Sequence, residues 1–258
     1  MIGKIKSLVK KLVLGHKADS QRYISYLRSI GMDIGEDVVI YTPTDGIVDK
    51  QYPWMIKIGN HVRIAQGTII LTHDYSWSTL KVLKDGIILG ASGRVTIGDN
   101  VFIGMNAVIT RGVTIGNNVV IGTGAVVTKD CLPNGVYAGN PARRIAEIDD
   151  FYEKRKALQL SEARELARGY YERFGKIPPE EIFHEYFFLF TDAETALKKP
   201  WCVKKMELLG NYDASLTYLM NHPPRFANYE EFIAYCFSQE ERELTSRARN
   251  PEIKEGIR

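Results

Sequence analysis

Residues 91–130 read ASGRVTIGDNVFIGMNAVITRGVTIGNNVVIGTGAVVTKD, and their period is six. Stepping by six from Ala91 gives Ile97, Ile103, Ile109, Ile115, Ile121 and Val127. Four residues after each start stands a second modest apolar side chain: Val95, Val101, Ala107, Val113, Val119 and Ala125. Gly follows the lead residue in IGDNVF, IGMNAV, IGNNVV and IGTGAV. An α-helix has the wrong period and disfavours Gly and β-branched residues in its interior. Each hexad is instead one short strand and a corner. The lead Ile and the residue at plus four point inward, while Gly, Asn and Asp take corner conformations that β-branched residues avoid. A single hexad cannot bury its own apolar face, so the coils must stack.

Working backwards, a weaker array runs through Ile34, Ile40, Gly46, Tyr52, Ile58, Ile64 and Ile70. Gly46, Lys50 and Asp74 break its pattern, which predicts irregular or more exposed early coils. The two arrays differ in phase. If the hexad ILTHDY is complete, residues 76–90 (SWSTLKVLKDGIILG) leave the coil as an excursion. Loops of that length are uncommon and often functional.

Flanking the repeats, the composition changes. Ile2, Ile5, Leu8, Val9, Leu12 and Val13 repeat at helical spacing, with Lys4, Lys10, Lys11 and Lys17 at other positions. The segment predicts a short amphipathic helix that caps the first coil, or that rests on an anionic membrane surface. After Ile145 the hexads stop, and helices are expected over DDFYEKRKALQLSEARELARGYYERF, from IPPEEIFHEYFFLF and over NYEEFIAYCF. The expected organisation is a helical segment 1–33, a repeat domain 34–145 and a helical extension 146–258.

The bulk numbers exclude several classes. Apolar content of 45% and charged content of 25% over 258 residues are those of a globular protein. A formal charge of +3 gives no case for nucleic acid. Three scattered cysteines suit a reducing cytoplasm and form no zinc or disulfide framework. No apolar run approaches the ~20 residues that span a bilayer. Only His61 and His73 lie in the coils, too few for a three-histidine zinc site.

The THD before the excursion, GAVVTKD and AGNPARRI together resemble the hexapeptide-repeat acyltransferases, in particular the sugar and polysaccharide O-acetyltransferases. The resemblance covers residues 34–145. It implies a left-handed parallel β-helix, homotrimeric assembly and an acetyl-CoA-dependent enzyme acting on a sugar hydroxyl in the cytoplasm or at the inner membrane face, with no metal. It implies His73 as general base. It also implies coenzyme A contacts at Met105, Thr123, Thr128 and Lys129, with Arg143 and Arg144 as phosphate candidates. The galactoside enzymes carry serine at the place of Met105. Taking residues 76–90 as the whole excursion, Met105 and Thr123 would stack above Thr72 and His73 as one ladder. On the acceptor side Tyr75, Trp77, Tyr52 and Trp54 are candidates to stack on sugar rings, and Asp74 is a further candidate, either for the acceptor or to orient His73. His61 is read as structural. N-acetylation of an amino sugar and a non-enzymatic scaffold are the alternatives.

Overall fold

The computed structural model describes residues 12–208 and 210–238. The expected amphipathic helix at the N-terminus falls largely outside the described residues. The chain divides into two compact units, Met1–Glu153 and Lys154–Arg258.

In the first unit the hexads form a three-faced parallel β-helix. Face one holds β1 (Asp33–Ile34), β4 (Ile56–Ile58), β7 (Val95–Ile97) and β10 (Thr114–Ile115). Face two holds β2 (Val39–Ile40), β5 (Arg63–Ile64), β8 (Val101–Ile103), β11 (Val119–Ile121), β13 (Gly135–Ala138) and β14 (Arg143–Glu147). Face three holds β3 (Ile47–Val48), β6 (Ile69–Ile70), β9 (Val108–Ile109) and β12 (Val126–Val127). All pairings are parallel except β13 with β14, which closes face two with an antiparallel hairpin.

The core follows the period. Ile58, Ile64, Ile70, Ile97, Ile103, Ile109, Ile115, Ile121 and Val127 are buried, as are Val95, Val101, Ala107, Val113, Val119 and Ala125. Each large lead side chain contributes roughly 1.5–3 kcal/mol by leaving water. Two devices hold the corners. Asn100, Asn106, Asn118 and Asn134 adopt φ of 55°, 57°, 57° and 58°, a left-handed conformation that Asn tolerates better than β-branched residues. Glycines after the lead residue admit the next coil: a Cβ on Gly104 would stand 2.6 Å from the Thr123 backbone nitrogen. At the start of the stack, α1 (Ser20–Ser29) lays Tyr23, Ile24 and Leu27 into the same core, and Asp19 caps it by accepting from the Arg22 N–H.

The register corrects the expected excursion. In the regular coils Ile97 pairs with Ile115, the next lead residue on its face. Ile58, Ile64 and Ile70 pair with Ile97, Ile103 and Ile109, which is more than twice that step along the chain. The insertion that accounts for the difference is residues 72–92, longer than expected at both ends. Of the hexad ILTHDY only Ile70 and Leu71 belong to the coil, and Ala91 is no core residue. Instead the chain leaves after Leu71 and returns along itself. The Gly93 N–H donates to the Thr72 carbonyl at 2.8 Å, His73 and Ser92 form an antiparallel bridge, and the Asp74 N–H donates to the Ala91 carbonyl at 3.1 Å. The loop carries its own short helix, α2 (Ser78–Leu83).

The first coil is irregular where Gly46 and Lys50 break the array. Ile34 and Ile40 pair with Ile58 and Ile64, one hexad further along the chain than a regular coil reaches, and Val48 pairs with Ile70 at a slightly shorter step. The passage from face three to face one is thereby widened and holds a 3-10 turn at Pro53–Met55. Its inward residues remain buried, Ile34 at 7% and Val48 at 6% exposure, so the irregularity lies in chain length and not in loss of core.

The long α3 (Ile148–Phe174) crosses from the first unit into the second. The second unit is helical: α4 (Ala193–Leu197), α5 (Pro200–Glu207), α6 (Tyr212–Asn221) and α7 (Tyr229–Phe237) follow. Phe183, Phe187, Phe190 and Phe232 are buried in its core. The helix expected from Ile177 to Phe190 is replaced by two 3-10 turns, Glu180–Phe183 and Phe187–Leu189. Tyr186, Phe187, Phe188 and Phe190 crowd the end of that segment, and the tighter turns bring their rings into one core. Arg164 and Arg168 both donate to the Cys236 carbonyl at the end of α7, where a cation complements the helix dipole.

Candidate active site at the widened corner

The excursion and the larger part of the first coil's extra length fall at the same corner, between faces three and one. The widened turn of the first coil brings Asp49, Gln51, Tyr52 and Trp54 there. One coil on, the excursion starts there with Thr72, His73, Asp74, Tyr75 and Trp77.

His73 is held by Asp49. Its Nδ1 lies 2.5 Å from Asp49 Oδ2, with side-chain exposures of 18% and 6%. The same carboxylate accepts from the Thr72 N–H at 2.9 Å, from the Thr72 hydroxyl and from the Gln51 N–H at 2.9 Å. Burial pushes the Asp49 carboxyl up. Hydrogen bonds from the Thr72 side chain, from the Gln51 and Thr72 backbone and from His73 outweigh it, and the group stays below its ordinary range. An ionised Asp49 accepts a hydrogen bond from Nδ1–H, which leaves the lone pair of a neutral imidazole on Nε2. A polar residue at a break in the hexad pattern, one coil before the histidine, is the signal in the sequence. The hexads alone do not single it out.

Asp74 does not orient the imidazole. Its oxygens accept from the Ser76 N–H at 3.0 Å, the Ser76 hydroxyl at 2.5 Å and Arg111 Nε at 2.5 Å. Arg111 and Ser76 hold its carboxyl well below the usual range. The side chain thus ties the base of the excursion to the coil above, which leaves its oxygens committed and unlike a ready acceptor contact.

The expected ladder above His73 is also corrected. Because the whole of 72–92 is inserted, Met105 stacks over Gln66, not Thr72: the Asn106 N–H donates to the Gln66 carbonyl at 2.9 Å. Thr123 follows Met105, with the Gly124 N–H on the Met105 carbonyl at 2.8 Å. Those two residues occupy the corner between faces two and three. The register of β9 and β12 instead carries Arg111 and then Lys129 along the His73 corner. Thr128 and Lys129 are exposed.

Of the two arginines after AGNP, Arg144 donates to the Pro133 carbonyl at 3.3 Å and the Asn134 carbonyl at 2.8 Å, and pairs with Glu147. It fastens the closing hairpin. Arg143 is exposed and donates to the neighbouring Ala142 carbonyl at 2.8 Å. His61 lies at the corner between faces one and two, with Nδ1 2.7 Å from Asp37 Oδ2. Arg63 donates to the same carboxylate oxygen at 2.7 Å. The thiols of Cys131, Cys202 and Cys236 are free and buried, and burial pushes them up to about 11, 12 and 12, which keeps them unreactive.

Residues 94–129 match the family model described as the hexapeptide repeat of succinyl-transferase. Protein CapG of Staphylococcus aureus is 41% identical over 129 residues, covering 50% of this chain and 73% of that one. Galactoside O-acetyltransferase of Escherichia coli is 61% identical over 163 residues, covering 56% of this chain and 78% of that one.

The chain belongs to the hexapeptide-repeat acetyltransferase family.

The solved structure of a galactoside acetyltransferase in complex with coenzyme A is 31% identical to this acetyltransferase, covering 58% of this chain and 82% of that one at a TM-score of 0.41. A maltose O-acetyltransferase from Clostridium difficile 630 is 33% identical, at coverages of 50% and 75% and a TM-score of 0.37. The family assigns the acetyltransferase to the acyltransferases. Among the described residues, no helix is long and apolar enough to cross a membrane.

Proposed function

We propose that the protein transfers an acetyl group from acetyl-CoA to a hydroxyl of a sugar or polysaccharide precursor, with His73 as general base. The observation that carries the reading is the His73–Asp49 pair at the base of the excursion. A sugar hydroxyl is a poor nucleophile until its proton is removed, and Nε2 of a neutral imidazole suits that task near neutral pH. Asp49 fixes the ring and stabilises the imidazolium as the proton arrives. The acyl thioester supplies the electrophilic carbonyl.

The residues present suit coenzyme A. Lys129 lies along the His73 corner, while Arg143 is exposed at the start of β14 on face two; both, together with Thr128, are candidates to meet phosphates. Arg144 would have to give up its hairpin bonds and is set aside. Met105 and Thr123 stand at a different corner of the same prism. They meet the same thioester as His73 when they come from a neighbouring protomer, which is the reason for reading the enzyme as a homotrimer of left-handed coils. Met105 has no hydroxyl, so help for the tetrahedral oxyanion at that point falls to backbone N–H groups.

The test uses labelled acetyl-CoA with a panel of sugars bearing hydroxyl or amino groups, read by mass spectrometry. The expected product is an ester cleaved by hydroxylamine. An amide that survives hydroxylamine would favour the amino-sugar alternative, and no transfer to any sugar would refute both.

A further inference from the structure

Five aromatic rings form one unbroken chain of contacts through the candidate base. Trp54 meets Tyr52 at 5.8 Å, Tyr52 meets His73 at 5.7 Å, His73 meets Tyr75 at 5.2 Å, and Tyr75 meets Trp77 at 6.5 Å between centroids. Every contact is edge-to-face. Two rings thus flank the imidazole on either side, one pair from the widened turn and the other from the excursion.

Gln51 locks the two sides together. Its amide nitrogen donates to the Tyr52 hydroxyl at 3.0 Å, and its amide oxygen accepts from the Tyr75 hydroxyl at 3.1 Å. The backbone beneath is equally fixed. Pro53 is buried within the 3-10 turn that carries Trp54, and the Asp74–Ser76 turn beneath Tyr75 is tied to Arg111. Such rings are placed before a ligand arrives, which removes much of the ordering cost of binding.

Packing alone does not account for this row. Trp54 is 61% exposed and Tyr75 58% exposed, although their neighbours Tyr52 and Trp77 are half-buried. Exposed aromatic rings beside hydroxyl and amide groups match one chemistry well. A pyranose ring presents C–H groups on its faces and hydroxyls around its rim, so the faces stack on aromatic rings while the rim hydrogen-bonds. A single sugar at His73 would reach the rings adjoining the imidazole and leave the outer ones uncovered.

Resting on the sugar acetyltransferase reading, we infer that the acceptor is a carbohydrate chain of at least three rings, acetylated on an internal unit. The unit at His73 is held between a stacking site at Trp54 on one side and one at Tyr75 and Trp77 on the other.

The experiment measures kcat/KM with acetyl-CoA for mono-, di-, tri- and tetrasaccharides of gluco and galacto series, and locates the acetyl group by tandem mass spectrometry. From mono- to trisaccharide kcat/KM should rise by at least about tenfold. The acetyl group should sit on an internal ring. Trp54→Ala and Trp77→Ala should each lower the trisaccharide value by about tenfold and so flatten the length dependence. Trp54→Phe, which keeps a ring, should restore most of it and separates stacking from any folding defect. A wild-type enzyme that acetylates monosaccharides as efficiently as trisaccharides overturns the inference while leaving sugar acetylation standing. Length dependence that survives in both Ala variants does the same. Absence of transfer to every probe removes the sugar reading and this inference together.

Discussion

Asp49 Oδ2 and His73 Nδ1 lie 2.5 Å apart, and the two residues come from the same corner of successive coils. The carboxylate also accepts two backbone N–H groups, from Gln51 and Thr72, so it is fixed before it fixes the imidazole. Asp49→Asn should lower kcat by at least roughly tenfold, with an upper bound near the ~10⁴-fold that misplacing the tautomer costs a Ser-His-Asp triad. Steady-state kinetics check this; an unchanged rate would make Asp49 purely architectural.

Changing the base itself should have the larger effect. His73→Ala should reduce kcat by roughly 10²–10⁴-fold, the range for a positioned general base. Acetyl-CoA binding, followed by calorimetry, should survive. A variant that folds and retains full turnover would place the chemistry elsewhere.

Lys129 follows Arg111 along the corner of His73 and is exposed. Lys129→Ala should raise the KM for acetyl-CoA and preserve most of kcat, the pattern of lost uniform binding. A fall in kcat alone would contradict its assignment to coenzyme A.

Three carboxylates of the first unit, Asp37, Asp49 and Asp74, sit below their ordinary value of 3.8. Depressed folded values mean that the native state holds these protons less well than the unfolded chain. Their contribution is present above the unfolded value and is lost as pH falls through the folded ones. Urea unfolding should therefore show stability declining below about pH 4. Removing one such group in Asp49→Asn should make that decline shallower. Stability that rises on acidification would reverse the assignment.

In the core, Ile109→Ala should cost about 2–5 kcal/mol, because the side chain is fully buried between Ile70 and Val127 in adjacent coils. Gly104→Ala should also destabilise, since its Cβ would meet the backbone of Thr123 and not a side chain able to move. Denaturant midpoints at constant slope distinguish these from changes in the unfolded state.

The regular coils are legible in the sequence because the constraint repeats: every sixth residue meets the same interior. That His73 stands beside the excursion is legible from the phase break that follows THD. Asp49 is not, since its partnership depends on how many residues the widened turn uses, and no period reports that number. The ladder failed for the same reason. Whether ILTHDY belongs to the coil or the loop changes the register by one hexad and moves Met105 to a different corner. Between Ile177 and Phe190, the crowd of aromatic residues obscured the helical period, and packing chose tighter turns.

The excursion leaves and re-enters at one point, with Thr72 and Gly93 joined by a backbone hydrogen bond and the faces above resuming in phase. Its length is thereby uncoupled from the stack. Residues 75–90 can be lengthened, shortened or exchanged for those of a relative without moving any isoleucine of the interior, provided the Thr72–Gly93 clasp and the Asp74–Arg111 tie remain. The corner behaves as a socket: the inserted segment can drift in length and sequence while the prism, and the imidazole of His73 that it holds from below through Asp49, stay as they are.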